Sequence, residues 1–332
     1  MAEHSLIASL DGAIQARMEC LALPHESALR LFNGFYEGAP DLVADLYRRT
    51  LLLHDYSEQP EATPLPLSAI VEYLHASLPW LQAIVVKVRR SRDEAARRGF
   101  FASGASADRR VREHGVWYAV DLFMNRDAGF YIDTRNLRGW AIKHLAGKTV
   151  LNTFAYTGSL GVAALAGKAR RVVQMDRNRT FLNTAKTSYS LNGFAVDRSA
   201  LQTGDFFSLV SAMKRSGTRF DCVFVDPPFF STTGKGRVDL ENDSARLINK
   251  VRPLINDGGC LVAVNNALFV SGADYLRTLE GLCADGCLAI EELISVPQDI
   301  TGYPATIVNR PPVDPAPFNH PTKIVVLRVR RK

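Results

Sequence analysis

Residues 149–176 read TVLNTFAYTGSLGVAALAGKARRVVQMD. A β-prone run, Thr149–Phe154, is followed by small and flexible residues, a helical stretch at Leu160–Ala166, and a second apolar run, Arg171–Met175, closed by Asp176. Strand, tight turn, helix, strand is the unit from which parallel sheets are built. The same alternation extends downstream. Ala200–Gln202, Phe220–Val225 and Cys260–Val264 read as strands. Thr180–Leu191, Phe206–Lys214, Leu240–Val251 and Ala273–Leu282 read as helices. The chain's end breaks the pattern. Leu288–Ile294 and Lys323–Val329 are strand-like, and the proline-rich segment between them carries no crossover helix, so the two are expected to pair antiparallel.

At 332 residues the chain is long enough for about two domains. A hydrophobic fraction of 47% with 22% charged residues excludes the disordered and fibrous classes. No apolar run approaches the roughly 18 residues needed to span a bilayer, and the first 20 residues lack the pattern of a secretory signal. The five cysteines, Cys20, Cys222, Cys260, Cys283 and Cys287, have no zinc spacing. Free thiols, no metal and a cytoplasmic setting are therefore expected.

Upstream of the alternating region the pattern is different. Leu6, Leu10, Ile14, Met18 and Leu21 fall on one helical face that ends before Pro24, giving an N-terminal helical segment over 1–32. Residues 33–115 read as a small α+β domain: a hairpin from Leu42–Tyr47 and Thr50–Tyr56, the turn segment EQPEATPLP, a helix at Leu67–Leu78 and a strand at Ala83–Val88. Arg89–Arg112 then carries eight arginines against three acids, with Phe100 and Phe101 among them. Interleaved arginines and aromatics can hold phosphates and stack on bases, and Arg109 and Arg110 are the named candidates. A solvated loop with two core phenylalanines is the alternative. The third region, 116–332, carries the alternating sheet.

In open α/β sheets, ligands bind beyond the carboxyl ends of the strands. After the first strand, Phe154, Tyr156, Thr157 and Gly158 form a turn where a ligand can approach the backbone. After the second, Asp176 and Arg177 follow, and an acid there suits ribose hydroxyls. After the third come Asp205, placed to accept from an adenine amine, and Phe206. Each of these acids has a helix cap as its alternative reading. After the fourth strand comes Asp226-Pro227-Pro228-Phe229-Phe230, the most specific signal in the chain. Its prolines fix φ and remove donors, leaving carbonyl acceptors beside the Asp226 carboxylate and an aromatic stacking surface at Phe229.

Several segments together resemble the bacterial 23S rRNA large-subunit methyltransferases. They are residues 150–178, TAKTSYSLNG (184–193), FDCVFVDPPFFS (220–231), GGCLVAVNN (258–266), GFYIDTRNLR (129–138) and RLFNGFYEGAPDLVADLY (30–47). The resemblance implies a class I methyltransferase fold: a doubly wound α/β sheet of seven strands with a terminal antiparallel hairpin, preceded by a small α+β domain. It implies S-adenosylmethionine as cofactor and RNA as partner. It places Asp133 and Arg135 at the cofactor's methionine end, Tyr156, Thr157 and Gly158 around its middle, Asp176 at the ribose, Asp205 at the adenine and Asp226 near the reactive methyl. Residues 1–30 do not resemble the PUA domain found at the front of many members.

The family contains cytosine-C5 and guanine-N7 enzymes. C5 attack needs a cysteine thiolate to add at C6 first. In the family's C5 enzymes that cysteine lies seven residues past the second glycine of Gly-Gly, and the seventh residue after Gly259 here is Asn266. The Asn265-Asn266 pair resembles the N7 enzymes, whose acceptor nitrogen carries a lone pair and no proton. A purine nitrogen is therefore the expected target, read by Asn265 or Asn266. Cytosine C5, and a protein or small-molecule amide nitrogen, are the alternatives, and the pair serving only to cap the next segment is the structural one. A further reading is a binding module that keeps the cofactor fold without turnover; the complete set of Asp176, Asp205 and Asp226 weighs against it. The net charge of +6 collects in Arg89–Arg112 and in the tail Arg328, Arg330, Arg331 and Lys332, a distribution that suits an anionic polymer.

Overall fold

The computed structural model describes residues 3–124 and 127–331. The chain divides into two units. Unit 1 comprises residues 1–132 together with Pro297–Arg310; unit 2 comprises Asp133–Val296 and Pro311–Lys332. Among the described residues no helix is long and apolar enough to cross a membrane.

Unit 1 is built on a five-stranded sheet: β1 (Ala28–Asn33), β2 (Leu42–Tyr47), β3 (Thr50–Asp55), β4 (Ala83–Val88) and β5 (Phe100–Ser103), in that spatial order. The first three form an antiparallel meander. β3 and β4 are parallel, joined through α2 (Leu67–Ser77), and β5 returns antiparallel on the edge. One sheet face is apolar and buried against α2 and against α1 (Glu3–Ala16), through Leu6, Leu10 and Ile14 on the helix and Leu31, Leu46 and Leu53 on the strands. A short helix, α3 (Glu94–Arg98), follows β4 and is capped by Asp93. A separate hairpin, β6 (Arg110–Glu113) and β7 (Val116–Ala119), completes the unit.

These boundaries correct three expectations. Residues 1–32 are not a separate segment, because α1 covers the sheet and β1 is its first strand. Residues 116–132 belong with the smaller unit, because β7 pairs with β6 and Tyr118 packs on Phe130. The proline-rich connection between the last two strands is long because Pro297–Arg310 completes unit 1. Asp299 accepts from the Arg30 backbone N–H at 2.8 Å, Thr306 donates to Glu37 at 2.7 Å, and the Val308 N–H donates to the Tyr36 carbonyl at 2.8 Å. Met18, placed by periodicity on the buried face, is 51% exposed, because α1 stops at Ala16 and a tighter turn rotates the next residues.

Unit 2 holds a seven-stranded sheet: β8 (Thr149–Thr153), β9 (Arg171–Asp176), β10 (Leu201–Thr203), β11 (Phe220–Val225), β14 (Ile255–Asn265), β15 (Leu288–Ile294) and β16 (Lys323–Val329), with β12 (Phe230–Thr233) and β13 (Gly236–Asp239) forming a small hairpin after β11. The spatial order is β10-β9-β8-β11-β14-β16-β15. Every pairing is parallel except those of β16, which runs antiparallel to both neighbours. The inner strands are buried along most of their length, as sheets covered on both faces require. Three helices, α4 (Arg135–His144), α5 (Ser159–Ala166) and α6 (Arg179–Leu191), pack together on one face. On the other, α7 (Phe206–Arg215), α8 (Ser244–Val251) and α9 (Gly272–Cys283) join the core through Val210, Val251 and Leu279. α8 is shorter than expected, because residues 236–239 form β13 and Leu240 is buried as a hairpin anchor. The order of strands reverses at β8, so the crevice at the carboxyl ends of β8 and β11 is the switch point where such sheets bind ligands.

A buried polar network shapes that crevice. Gln174, in β9, has no exposed surface; it accepts from the Asn152 amide at 2.9 Å and donates to the Tyr189 hydroxyl at 2.8 Å. Its side chain lies where a Cβ on Gly158 or Gly161 would be, at 2.8 Å and 2.4 Å. Gly158 also sits at φ +81°, where a side chain is strained.

Two stability measurements follow. Gly161→Ala has to displace Gln174 from both partners, so urea unfolding should show a loss of about 1–3 kcal/mol, as for other overpacked cores. In unit 1, the Arg17–Glu37 ion pair is 2.8 Å long and fully buried. Arg17→Met leaves an unpaired buried carboxylate and should cost about 3–5 kcal/mol, whereas Arg17→Met/Glu37→Gln should cost less. Equal losses for the single and double variants would show that the pair's charge is not what matters.

Candidate active site at the carboxyl edge of the sheet

The turn after β8 is tightly wound. Phe154 and Tyr156 both have left-handed backbones, at φ +52° and +51°, a strain that surrounding structure must hold. Asp176 does part of this: its Oδ2 accepts from the Tyr156 N–H and its Oδ1 from the Asn178 N–H, both at 2.8 Å. Burial raises the Asp176 pKa, and these amides oppose the rise. The Arg177 amide bonds the same carboxylate, so of its roughly four acceptor sites about one stays for a hydroxyl donor. Thr157 is buried, Arg177 is exposed, and the Tyr156 ring meets Phe181 edge-on at 4.6 Å.

Asp205 caps α7, accepting from the Ser208 N–H at 3.1 Å. Burial would raise its pKa, but the Ser208 amide and the Thr233 hydroxyl outweigh it and hold the carboxyl below its ordinary value. Phe206 is 5% exposed and stacks on Phe154 at 4.4 Å, so one of its ring faces is already occupied by the protein.

Asp226 follows β11 directly. Burial and the neighbouring charge of Asp133 push its pKa up to about 7. Asp133 itself accepts from the Thr322 hydroxyl at 3.0 Å, just before Arg135 opens α4. Two carboxylates in one partly desolvated place destabilise each other, and a bound cation relieves them. Pro227 is buried, while Phe229 and Phe230 are 45% and 55% exposed. The alternative of core phenylalanines therefore fails here, as it does for Phe100 and Phe101, which lie on edge strand β5 at 41% and 37% exposure.

The segment after β14 emerges beside Asp226, since Val225 and Ala263 are paired across the two strands. The expectation that Asn265 reads a base is corrected. It has no exposed surface, its amide donates to the Leu240 carbonyl at 3.1 Å, and its oxygen accepts from the Ala267 N–H at 2.9 Å. Asn266 is exposed, followed by exposed Leu268 and Phe269. Lys323, which sequence reading missed, fixes this loop from beneath. Its wholly buried ammonium donates to the carbonyls of Ala267, Val270 and Pro321 at 3.0, 3.1 and 2.6 Å, and burial pulls its pKa down to about 8. A lone lysine at a strand start carries no sequence signal for such a clamp.

The cysteines of unit 2 lie elsewhere. Cys222 and Cys260 face each other in register inside β11 and β14, both buried. Cys283 ends α9 and Cys287 precedes β15, at the amino edge of the parallel strands. Cys20 belongs to unit 1, where it lies 3.7 Å from the Tyr303 hydroxyl. The basic tail also proves to be at the amino edge, because β16 runs antiparallel. Arg328 is bound to the Gly258 carbonyl and Glu291, and Arg331 to Asp257 and the Ile255 carbonyl. The tail therefore does not border Asp226; Lys332 lies outside the described residues. Arg109 and Arg110 are exposed in unit 1.

Known proteins are similar to this chain. Ribosomal RNA large subunit methyltransferase I of Vibrio cholerae is 37% identical over 155 residues, 46% of this chain and 39% of that protein. The protein of the same name from Aliivibrio fischeri is 31% identical over 236 residues, 70% of this chain and 59% of that protein. The chain thus spans well under two thirds of the length of either. Among solved structures, SMU.776, crystallised with SAH, superposes with a TM-score of 0.84 at 21% identity, covering 99% of this chain and 82% of that one, and so shares the fold. The sequence profile of the S-adenosylmethionine-dependent methyltransferases matches residues 29–306, and the chain belongs to that family.

Proposed function

We propose that this protein methylates a base of large-subunit ribosomal RNA, at a purine ring nitrogen of the guanine-N7 type, using S-adenosylmethionine. The observation that carries the reading is the segment leaving β11: a half-buried carboxylate, a proline pair that fixes the backbone, and two exposed phenyl rings at the switch point of the sheet. The names of the relatives support the ribosomal substrate, and with it a cytoplasmic setting.

The residues fit the cofactor. When bound, S-adenosylmethionine supplies an electrophilic methyl on a cationic sulfur. Asp226 and Asp133 provide the negative surroundings that favour such a cation over a neutral thioether. Arg135 and the first amides of α4 suit the methionine carboxylate. Asp176 accepts from a ribose hydroxyl, and Asp205 takes the adenine amine. Phe154 contributes its aromatic ring at the turn, with Phe206 bracing it from behind. Tyr156, Thr157 and Gly158 present backbone to the middle of the cofactor.

On the substrate side, Phe229 stacks on the base and Asn266 reads its edge, while Arg109 and Arg110 hold phosphates. A ring nitrogen attacks with its own lone pair and loses no proton. Alignment then supplies much of the rate, an effect worth roughly 7–11 kcal/mol. The positive charge that the base acquires is stabilised by ionised Asp226. Cytosine C5 would need a thiolate at the carboxyl edge, and the cysteines of unit 2 lie inside the strands or at the opposite edge.

Labelled cofactor with bulk ribosomal RNA, naked or in subunits, followed by nucleoside mass spectrometry, tests this directly. A methylated purine is expected. Label in 5-methylcytidine would overturn the nitrogen reading, and label only in protein or small molecules would overturn the RNA reading.

Asp226 makes a second test. Its folded pKa, about 7, lies above its ordinary value of 3.8, so ionised Asp226 opposes folding without the cofactor. Asp226→Asn should melt higher than the native protein at pH 8. The advantage should shrink as the pH falls through about 7 and close only below the ordinary value of 3.8, where the native carboxyl is protonated folded or unfolded. The same variant should lose methyl transfer. Calorimetry on the native protein should show cofactor affinity falling below pH 7, and falling less for the neutral thioether product. An Asn variant less stable than native at pH 8, with normal turnover, would remove Asp226 from this role.

A further inference from the structure

The β6–β7 hairpin of unit 1 has two unlike faces. Its turn, His114-Gly115, has positive φ at both residues, 50° and 79°, which fixes a two-residue connection and the register. Val111, Glu113, Val116 and Tyr118 are buried on one face. The other carries Arg110, Arg112 and Trp117, with Arg112 directly opposite Trp117. Three guanidinium groups surround that one indole. Arg110 lies 4.5 Å from the ring centroid, and Arg48, from the β2–β3 turn, and Arg112 each lie 5.6 Å from it.

This grouping has a cost that the free protein only partly offsets. Asp108 pairs with Arg48 at 2.8 Å and also accepts from the Arg49 N–H, and Glu26 pairs with Arg112 at 3.3 Å. Arg110, the nearest to the ring, makes no ion pair among the described residues, is exposed, and has exposed Arg109 beside it. Like charges held this close repel, and a polyanion is the partner that relieves them. The indole holds the guanidinium carbon of Arg110, whose exposed N–H fork matches phosphate oxygens, while Arg48 and Arg112 each give an N–H to a carboxylate, Asp108 and Glu26.

We propose that this face of the hairpin docks the phosphodiester backbone of the RNA substrate, with Trp117 as the scaffold that positions Arg48, Arg110 and Arg112 as phosphate ligands. The proposal rests on the RNA reading above and gives it an address. Trp117 is a positioning residue: it acts by ordering the arginines.

The test is binding of the full chain to purified 23S rRNA across a potassium chloride series, with thermal shift by SAH as the control for the methyltransferase unit. Arg110→Gln should lower the slope of log affinity against log salt by about one. Trp117→Leu should lower it by roughly two to three, and Trp117→Phe, which keeps an aromatic face, should restore most of it. All variants should keep the native SAH shift. Unchanged slopes in Arg110→Gln and Trp117→Leu, while the native protein binds and methylates rRNA, would overturn this inference alone. A native protein without salt-dependent rRNA binding would overturn the RNA reading and this surface with it. Losses confined to phosphatidylserine vesicles, with rRNA binding unchanged, would reassign the face to a membrane.

Discussion

The side chain of Gln174 fixes the geometry on which the candidate site depends. It is held from both sides, by Asn152 on the neighbouring strand β8 and Tyr189 on α6, and none of it reaches solvent. A buried amide in that position must keep its hydrogen bonds, because leaving them unmade costs more than making them gains. It cannot retreat, so the chain above it must be glycine at 158 and 161. The turn that leads to these glycines is tightly wound, with Phe154 and Tyr156 in left-handed conformations and the Tyr156 amide presented to Asp176. The glycines that read in the sequence as room for a ligand are thus, first of all, room for a glutamine. Any exposure of backbone to a cofactor is a consequence of that packing.

The edge of the sheet carries a second tension. A half-buried carboxylate next to another carboxylate is a liability for folding and an asset for holding a cation. The surrounding structure is correspondingly firm. Asp226 leaves a strand paired on both sides, Pro227 is buried behind it, and Asp133 is tied to Thr322. Thr322 and Lys323 are consecutive at the start of β16, so one antiparallel strand braces both Asp133 and the loop after β14. Reversal of that strand is what makes this possible: only a strand beginning at the carboxyl edge can deliver its first residues there.

The parallel sheet was legible because its signal is local. Apolar runs bounded by small residues and acids identify strands and their ends, and seven of these fall within a residue or two of their observed positions, apart from the early start of β14. The partition into units was not legible, because it depends on where distant segments pair. Nothing in 297–310 announces that Asp299 will accept from the Arg30 amide. Short elements were missed for a related reason. β5, β6, β7 and the β12–β13 hairpin have four residues per strand, too few for a period to show. At the site, the acids were visible by position, whereas Gln174 and Lys323 owe their roles to neighbours far away in sequence. Asn265 shows the limit most directly: residue type was read correctly as hydrogen-bonding, but both of its partners lie within the protein.

The asparagine pair also bears on how one scaffold serves two chemistries. Successive residues of a strand point to opposite sides. Asn265 points inward, where it joins the β13–α8 connection to the end of β14 through the Leu240 carbonyl, and Asn266 is left exposed. The resemblance to cytosine-C5 enzymes puts their nucleophile at the position of Asn266, the outward one. The scaffold requirement at 265 and the chemical requirement at 266 are therefore separate, met by adjacent residues with opposite directions. On the reading proposed above, the Asn266 amide orients a base without a covalent bond to it, and an acceptor that supplies its own lone pair is the one that such an edge serves.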